Sequence, residues 1–108
     1  VAARDSDRVL VIGEALMDVV VDPSGAVEHP GGSPMNVSLG LGRLDVPVTF
    51  VTALGEDARG AAIAEHLESG GVVILPGPAA GRRTSSAEVT IDADGGPAYR
   101  FDVDWTLE

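Results

Sequence analysis

Cysteine is missing from this chain, which excludes a disulfide framework and a thiolate metal site and fits a reducing compartment. Basic residues are scarce: 7 Lys and Arg against 17 Asp and Glu leave a formal net charge of −10. Such a chain repels a polyanion and offers no basic stripe to neutralise phosphates, so nucleic acid is not an expected partner. Long apolar runs are missing too. Gly, Asp or Pro interrupts every apolar stretch well short of the roughly 20 residues that span a bilayer, so no membrane partner is expected. Val1 to Arg8 carries charges of both signs, and no signal-peptide apolar region follows it. The expected setting is soluble and cytoplasmic. His29 and His66 are too isolated to suggest a metal site, and internal repeats and low-complexity tracts are absent.

What is present suits one modest domain of 108 residues with a real core. Val9-Leu10-Val11-Ile12, ending at Gly13, has the continuous aliphatic texture of a strand buried on both faces of a parallel sheet. Met17 to Val21 and Ala26 to Glu28 flank the turn-forming Asp22-Pro23-Ser24-Gly25 and read as a hairpin that leaves the sheet layer. From Pro34 the period changes. Met35, Val37, Leu39, Leu41 and Leu44 predict a buried helix with Ser33 as N-cap and Pro34 at its first position. Gly40 and Gly42 inside it each cost about 1 kcal/mol relative to Ala and imply a closely packed neighbouring backbone.

Val48 to Thr52 predicts a second buried strand. Asp57 to Ser69 predicts a second helix capped by Asp57 and ended by Gly70-Gly71, with Ala61, Ile63, Ala64 and Leu67 inward. Val72 to Leu75 supplies a third strand. The alternation predicts an α/β fold with a parallel sheet and right-handed crossovers. The texture then shifts: Thr84 to Ile91 and Ala98 to Val103 alternate around Asp92-Ala93-Asp94-Gly95-Gly96-Pro97, a second hairpin. A three-stranded sheet with two helices leaves an unpaired edge and a partly covered apolar face, as a part of something larger would.

The stretch HPGGSPMNVSLGLGRL, residues 29 to 44, invites a phosphate-binding reading. It matches neither the dinucleotide fingerprint G-x-G-x-x-G nor the P-loop G-x-x-x-x-G-K-[ST], and Gly40-Leu41-Gly42 falls inside the predicted helix. Gly31-Gly32 lets backbone approach a ligand closely, and the Asn36 amide in the first helical turn can point at it. On these residues alone, a plain loop beside a packed polar Asn is the favoured reading.

Gly31-Gly32-Ser33-Pro34-Met35-Asn36-Val37-Ser38 is preceded by Val11-Ile12-Gly13-Glu14-Ala15-Leu16-Met17-Asp18 and followed by Val48-Thr49-Phe50-Val51 and Leu54-Gly55-Glu56-Asp57-Ala58-Arg59-Gly60. In this order the segments resemble the N-terminal part of ribokinase-type (phosphofructokinase-B, PfkB) carbohydrate kinases, especially the fructokinase-like members. The resemblance covers about Val9 to Trp105. It implies a Rossmann-like, ribokinase-like α/β domain, here partial, with a projecting β lid. The core would take residues 9–13 and 34–75, and the lid about 17–29 and 84–103.

The implied activity is phosphoryl transfer from ATP to a sugar hydroxyl. Asp18 would accept hydrogen bonds from the sugar, Gly32 and Ser33 would lay backbone against it, and Asn36 would bind a further hydroxyl. A plain strand-ending role for Asp18 remains the alternative. Phe101 and Trp105 would either shield the sugar from water or join two lids in a homodimer. Gly55 and Asp57 match a structural turn and cap. Asp45 stands where the family commonly has Gly after the first helix, a position that Asp tolerates at modest cost. ATP, Mg²⁺ and a monovalent cation, K⁺, would accompany the complete enzyme, with none expected on this chain alone. The family's Gly-x-Gly-Asp turn, whose Asp deprotonates the acceptor hydroxyl, is not among these residues, and the ATP-binding half is expected to lie outside them. A non-catalytic sugar-binding module and an assembly domain are the other expectations.

Overall fold

The structure, a computed structural model, describes residues 7–106. Most of the charged N-terminal stretch and the final Leu107-Glu108 lie outside the described residues. In chain order the elements are β1 (Val9–Ile12), β2 (Leu16–Asp22), β3 (Gly25–Gly31), α1 (Ser33–Arg43), β4 (Val48–Val51), α2 (Ala58–Ser69), β5 (Val73–Leu75), β6 (Ser86–Ile91) and β7 (Pro97–Asp102). Strands β1, β4 and β5 form a parallel sheet in that order. Its connections run through α1 and α2, as the strand–helix alternation predicts.

The side-chain alternation of β4 sends Val48 and Phe50 to one face, where both are completely buried with Met35 and Leu39 of α1 and Ile63 and Leu67 of α2. Each such aliphatic or aromatic side chain contributes about 1.5–3 kcal/mol on leaving water. The opposite face is bare. Leu10 and Ile12 are 59% and 55% exposed, and Val73 and Leu75 are exposed as well. This corrects the expectation that β1 is buried on both faces: α1 and α2 cover the face that carries Phe50, and no described element covers the other.

Helix α1 also corrects the expected cap. Gly32, not Ser33, is the N-cap; its φ of 97° takes the chain into the helix, and no side chain caps the first turn. Ser33 is the first helical residue and Pro34 the second. A side chain at Gly13 would collide with Pro34, so this glycine lets the first turn of α1 pack on the end of β1. Gly42 meets the Gly70 carbonyl closely, as expected, whereas Gly40 faces open space. Asp45 ends the α1 region at φ 62°, the left-handed conformation anticipated for it. In α2 the Asp57 side chain caps as expected, accepting from the Gly60 amide at 2.7 Å. Ala61 is exposed, and Gly60 takes its place on the inner face.

The two hairpins do not stay separate. Strands β2 and β6 pair in parallel, joining them into one mixed sheet of order β3-β2-β6-β7 that projects from the core. Met17 and Val19 point to the side facing α2 and are 3% and 4% exposed. Residues paired across strands share a face, so the other side carries Asp18, Val20, Ala87, Val89, Tyr99 and Phe101.

One buried side-chain polar atom among the described residues has no hydrogen-bond partner: the Thr52 hydroxyl, just past β4. A buried donor left unpaired carries its full desolvation penalty, while an apolar isostere carries none. Thr52→Val is therefore expected to leave the unfolding midpoint unchanged or raise it by about 1 kcal/mol of stability, measured by urea titration.

Candidate functional site

The candidate site lies where the projecting sheet meets the start of α1. Asp18 sits in the middle of β2, opposite His29 of β3. Its carboxylate lies over Gly31, where any Cβ would collide with it. Gly31 is followed directly by Gly32, the N-cap of α1, and a Cβ at Gly32 would come within 3.1 Å of the Glu14 carbonyl oxygen. The two glycines thus do different work. Gly31 makes room for a carboxylate, and Gly32 supplies the turn.

Beyond them, Ser33 and Asn36 stand three positions apart on α1, neighbours on the helix surface, and both are exposed. The Asn36 amide nitrogen donates to the Gly32 carbonyl at 2.9 Å, which closes the first helical turn. Helix geometry leaves the preceding amides of this turn without intrahelical acceptors. Asp18 thus lies over Gly31 at the entry to α1, while Gly32, Ser33 and Asn36 occupy the N-cap and first turn of that helix.

Asp18 also borders a groove of about 400 Å³ with Val20, Val89, Tyr99 and Phe101. Phe101 is 70% exposed there. Trp105 does not border this groove. Its indole donates to the Gly13 carbonyl at 3.0 Å and so ties the end of the projecting sheet to the end of β1.

Sequence reasoning saw a second cluster only in part. Asp57 accepts from the Thr84 hydroxyl at 2.6 Å and the Thr84 amide at 2.9 Å, as well as from Gly60. The Thr84 hydroxyl in turn accepts from the Gly55 amide at 2.9 Å. Burial pushes the Asp57 carboxyl up, but the hydrogen bonds from Thr84 and Gly60 and the nearby Arg59 charge outweigh it and hold the group below its ordinary value. The cluster fixes the segment that enters β6, where the Met17 amide donates to the Ser85 carbonyl at 2.9 Å.

Residues 6–100 match the family model of the pfkB family carbohydrate kinases. The chain belongs to that family. Among its relatives, Fructokinase-1 of Oryza sativa subsp. japonica is 37% identical over 92% of this chain and 33% of its own length. The fructokinase of Xylella fastidiosa with bound ATP superposes with a TM-score of 0.78 at 28% identity, covering 90% of this chain and 33% of that one. The ribokinase of Cryptococcus neoformans var. grubii serotype A in complex with ADP gives 0.80 at 25% identity, over 89% of this chain and 34% of that one. This pfkB family chain thus spans about one third of the length of the relatives it matches. Its fold is the ribokinase-like α/β core with a β lid, and the projecting sheet is that lid. No helix among the described residues is long and apolar enough to cross a membrane.

Proposed function

We propose that this chain supplies the sugar-holding part of an ATP-dependent carbohydrate kinase, with fructose the first acceptor to test and a cytoplasmic setting. The observation that carries this reading is the Asp18 carboxylate lying over Gly31 at the start of α1. A carboxylate at the entry to a helix is a poor host for another anion, because its charge repels phosphate. It is a good host for a neutral polyol, whose hydroxyls donate to the carboxylate and accept from amides. In this reading Asp18 takes hydroxyl protons in hydrogen bonds, Gly32 and Ser33 present backbone, and Asn36 binds a further hydroxyl. Together they hold the alcohol oriented for in-line attack. Phe101 borders the groove and limits water around the bound sugar. The fructokinase names of the relatives favour fructose.

No Gly-x-Gly-Asp turn occurs in the sequence, and the chain spans about one third of the length of its relatives. This reading therefore assigns ATP, Mg²⁺, any K⁺ and the general base to the part of the family's length that these residues do not span. The test is a phosphorylation assay over a sugar panel, run on this chain and on the chain extended through its natural reading frame, together with calorimetric sugar titration. Turnover in the extended protein alone is expected. Turnover by the 108 residues, or neither turnover nor sugar binding in the extended protein, overturns the reading.

Tyr99 and Phe101, 68% and 70% exposed on the lid, favour a second use of the same face, the pairing of two copies through lid strands. Sedimentation of Phe101→Ser against the unaltered chain distinguishes the two: loss of a dimer with sugar binding intact marks Phe101 as an assembly contact.

A further inference from the structure

Arg59 stands in the first turn of α2, where the helix dipole disfavours a cation. Within the helix only the Asp57 cap offers Arg59 a neighbouring negative charge. Its guanidinium instead crosses to the lid and binds Glu28 of β3 with both arms of the fork, Nε to Oε1 at 2.9 Å and a terminal nitrogen to Oε2 at 3.1 Å. Glu28 pairs with Val19, three positions out from the Leu16 and Gly31 pair at the lid root. At the rise of an extended strand that is about 10 Å of lever arm.

Other hydrogen bonds between lid and core lie at the root: the Asp57 and Thr84 cluster and the Trp105 bond to Gly13. A groove of about 350 Å³ opens between the lid and α2, bordered by Met17, Pro30, Ala58 and Ala62 as well as by the ion pair. Buried Met17 and Val19 pack the lid on the core from β2, and on β3 the ion pair bridges the groove. Glu88 of β6 adds a second negative charge facing Arg59.

We propose that Arg59 is a positioning residue that latches the lid through Glu28 and so fixes Asp18, on the opposite face of the same strands, relative to Gly32 and Asn36. The consequence for sugar affinity rests on the function proposed above; the latch itself does not. If only the latched lid presents Asp18 correctly, unlatching reduces apparent affinity by the fraction of molecules left in the competent state.

The chain has no cysteine, so two can be introduced for spin labels, Ala93→Cys at the lid tip and Glu65→Cys on α2. Pulsed dipolar spectroscopy then reads the lid-to-core distance without any ligand. The expected result is one narrow distribution in the parent, a broadened and shifted one in Arg59→Gln, and a narrow one again in the charge-reversed pair Glu28→Arg/Arg59→Glu. About 0.5 M salt should broaden the parent distribution and leave that of Arg59→Gln unchanged. Sugar titration should show about two- to fivefold weaker binding in Arg59→Gln and recovery in the reversed pair.

An unchanged distribution in Arg59→Gln, with circular dichroism showing a folded chain, overturns the latch. A shifted distribution with sugar affinity equal in all variants overturns the positioning role. A shifted distribution with no sugar bound by any form, the reading-frame-extended protein included, refutes the proposed function and leaves the latch standing.

Discussion

Asp57→Ala is expected to cost about 3 kcal/mol of folding stability, a large share of the roughly 5–15 kcal/mol that holds a native domain together. Part of the loss is the α2 cap, about 1 kcal/mol. The rest comes from Thr84, which is 2% exposed, would lose the acceptor for its amide and would keep for its hydroxyl only the long contact to the Gly55 carbonyl at 3.5 Å; each buried donor left unpaired costs about 1–3 kcal/mol. Asp57→Asn, which keeps a cap acceptor but loses the charge, should cost about half as much. Thr84→Val and Asp57→Ala act on one network, so their costs should fall short of adding in a double-mutant cycle.

The pH dependence follows from the sign of the shift. The folded carboxyl is held below its ordinary value of 3.8, so its contribution is complete above that value and is lost as pH falls through the lower folded one. Urea midpoints of the parent and Asp57→Asn should differ by a constant amount above about pH 5 and converge below about pH 4. A gap that persists at low pH would mean that charge plays no part in the cluster.

That cluster marks the boundary of what the sequence discloses. Asp57 is legible as a cap because capping is local: an Asp before a helix-period run, with the amide that donates to it three residues away. Its grip on Thr84 spans 27 residues and leaves no trace in any window of sequence. The strand and helix alternation of the core is legible for the same local reason, and so is the left-handed Asp45. The burial of β1 is not, because an aliphatic run states only that a strand can be buried, whereas Leu10 and Ile12 depend on what covers their face. The two hairpins are legible one by one, yet their union through parallel β2 and β6 is a tertiary choice. Ser33 is displaced as N-cap because Gly32 can take φ 97°, a conformation that outweighs the side-chain preference of serine. At the site, motif order pointed to Asp18, Gly32, Ser33 and Asn36 through resemblance, while the contact of Asp18 with Gly31 required coordinates.

Gly31→Ala isolates that contact. Gly31 lies outside the left-handed region, so alanine is no burden to the backbone there, but its methyl group would occupy the space of the Asp18 carboxylate. Asp18 is exposed and can swing into solvent, so the expected loss of stability is only about 1 kcal/mol. Sugar binding should fall about 100-fold, the equivalent of two charge-assisted hydrogen bonds. Asp18→Ala should lose as much with no loss of stability. Gly32→Ala behaves differently, because φ 97° strains any side chain and lowers stability by about 1–3 kcal/mol before any ligand is added. The decisive comparison is calorimetric titration of Gly31→Ala, Asp18→Ala and the double variant in the reading-frame-extended protein. If Gly31 acts by making room for the carboxylate, the double variant binds no more weakly than Asp18→Ala alone. Additive losses would give Gly31 a contact of its own with the sugar, and parent-like binding in Gly31→Ala would remove the Asp18 geometry from the account of the site.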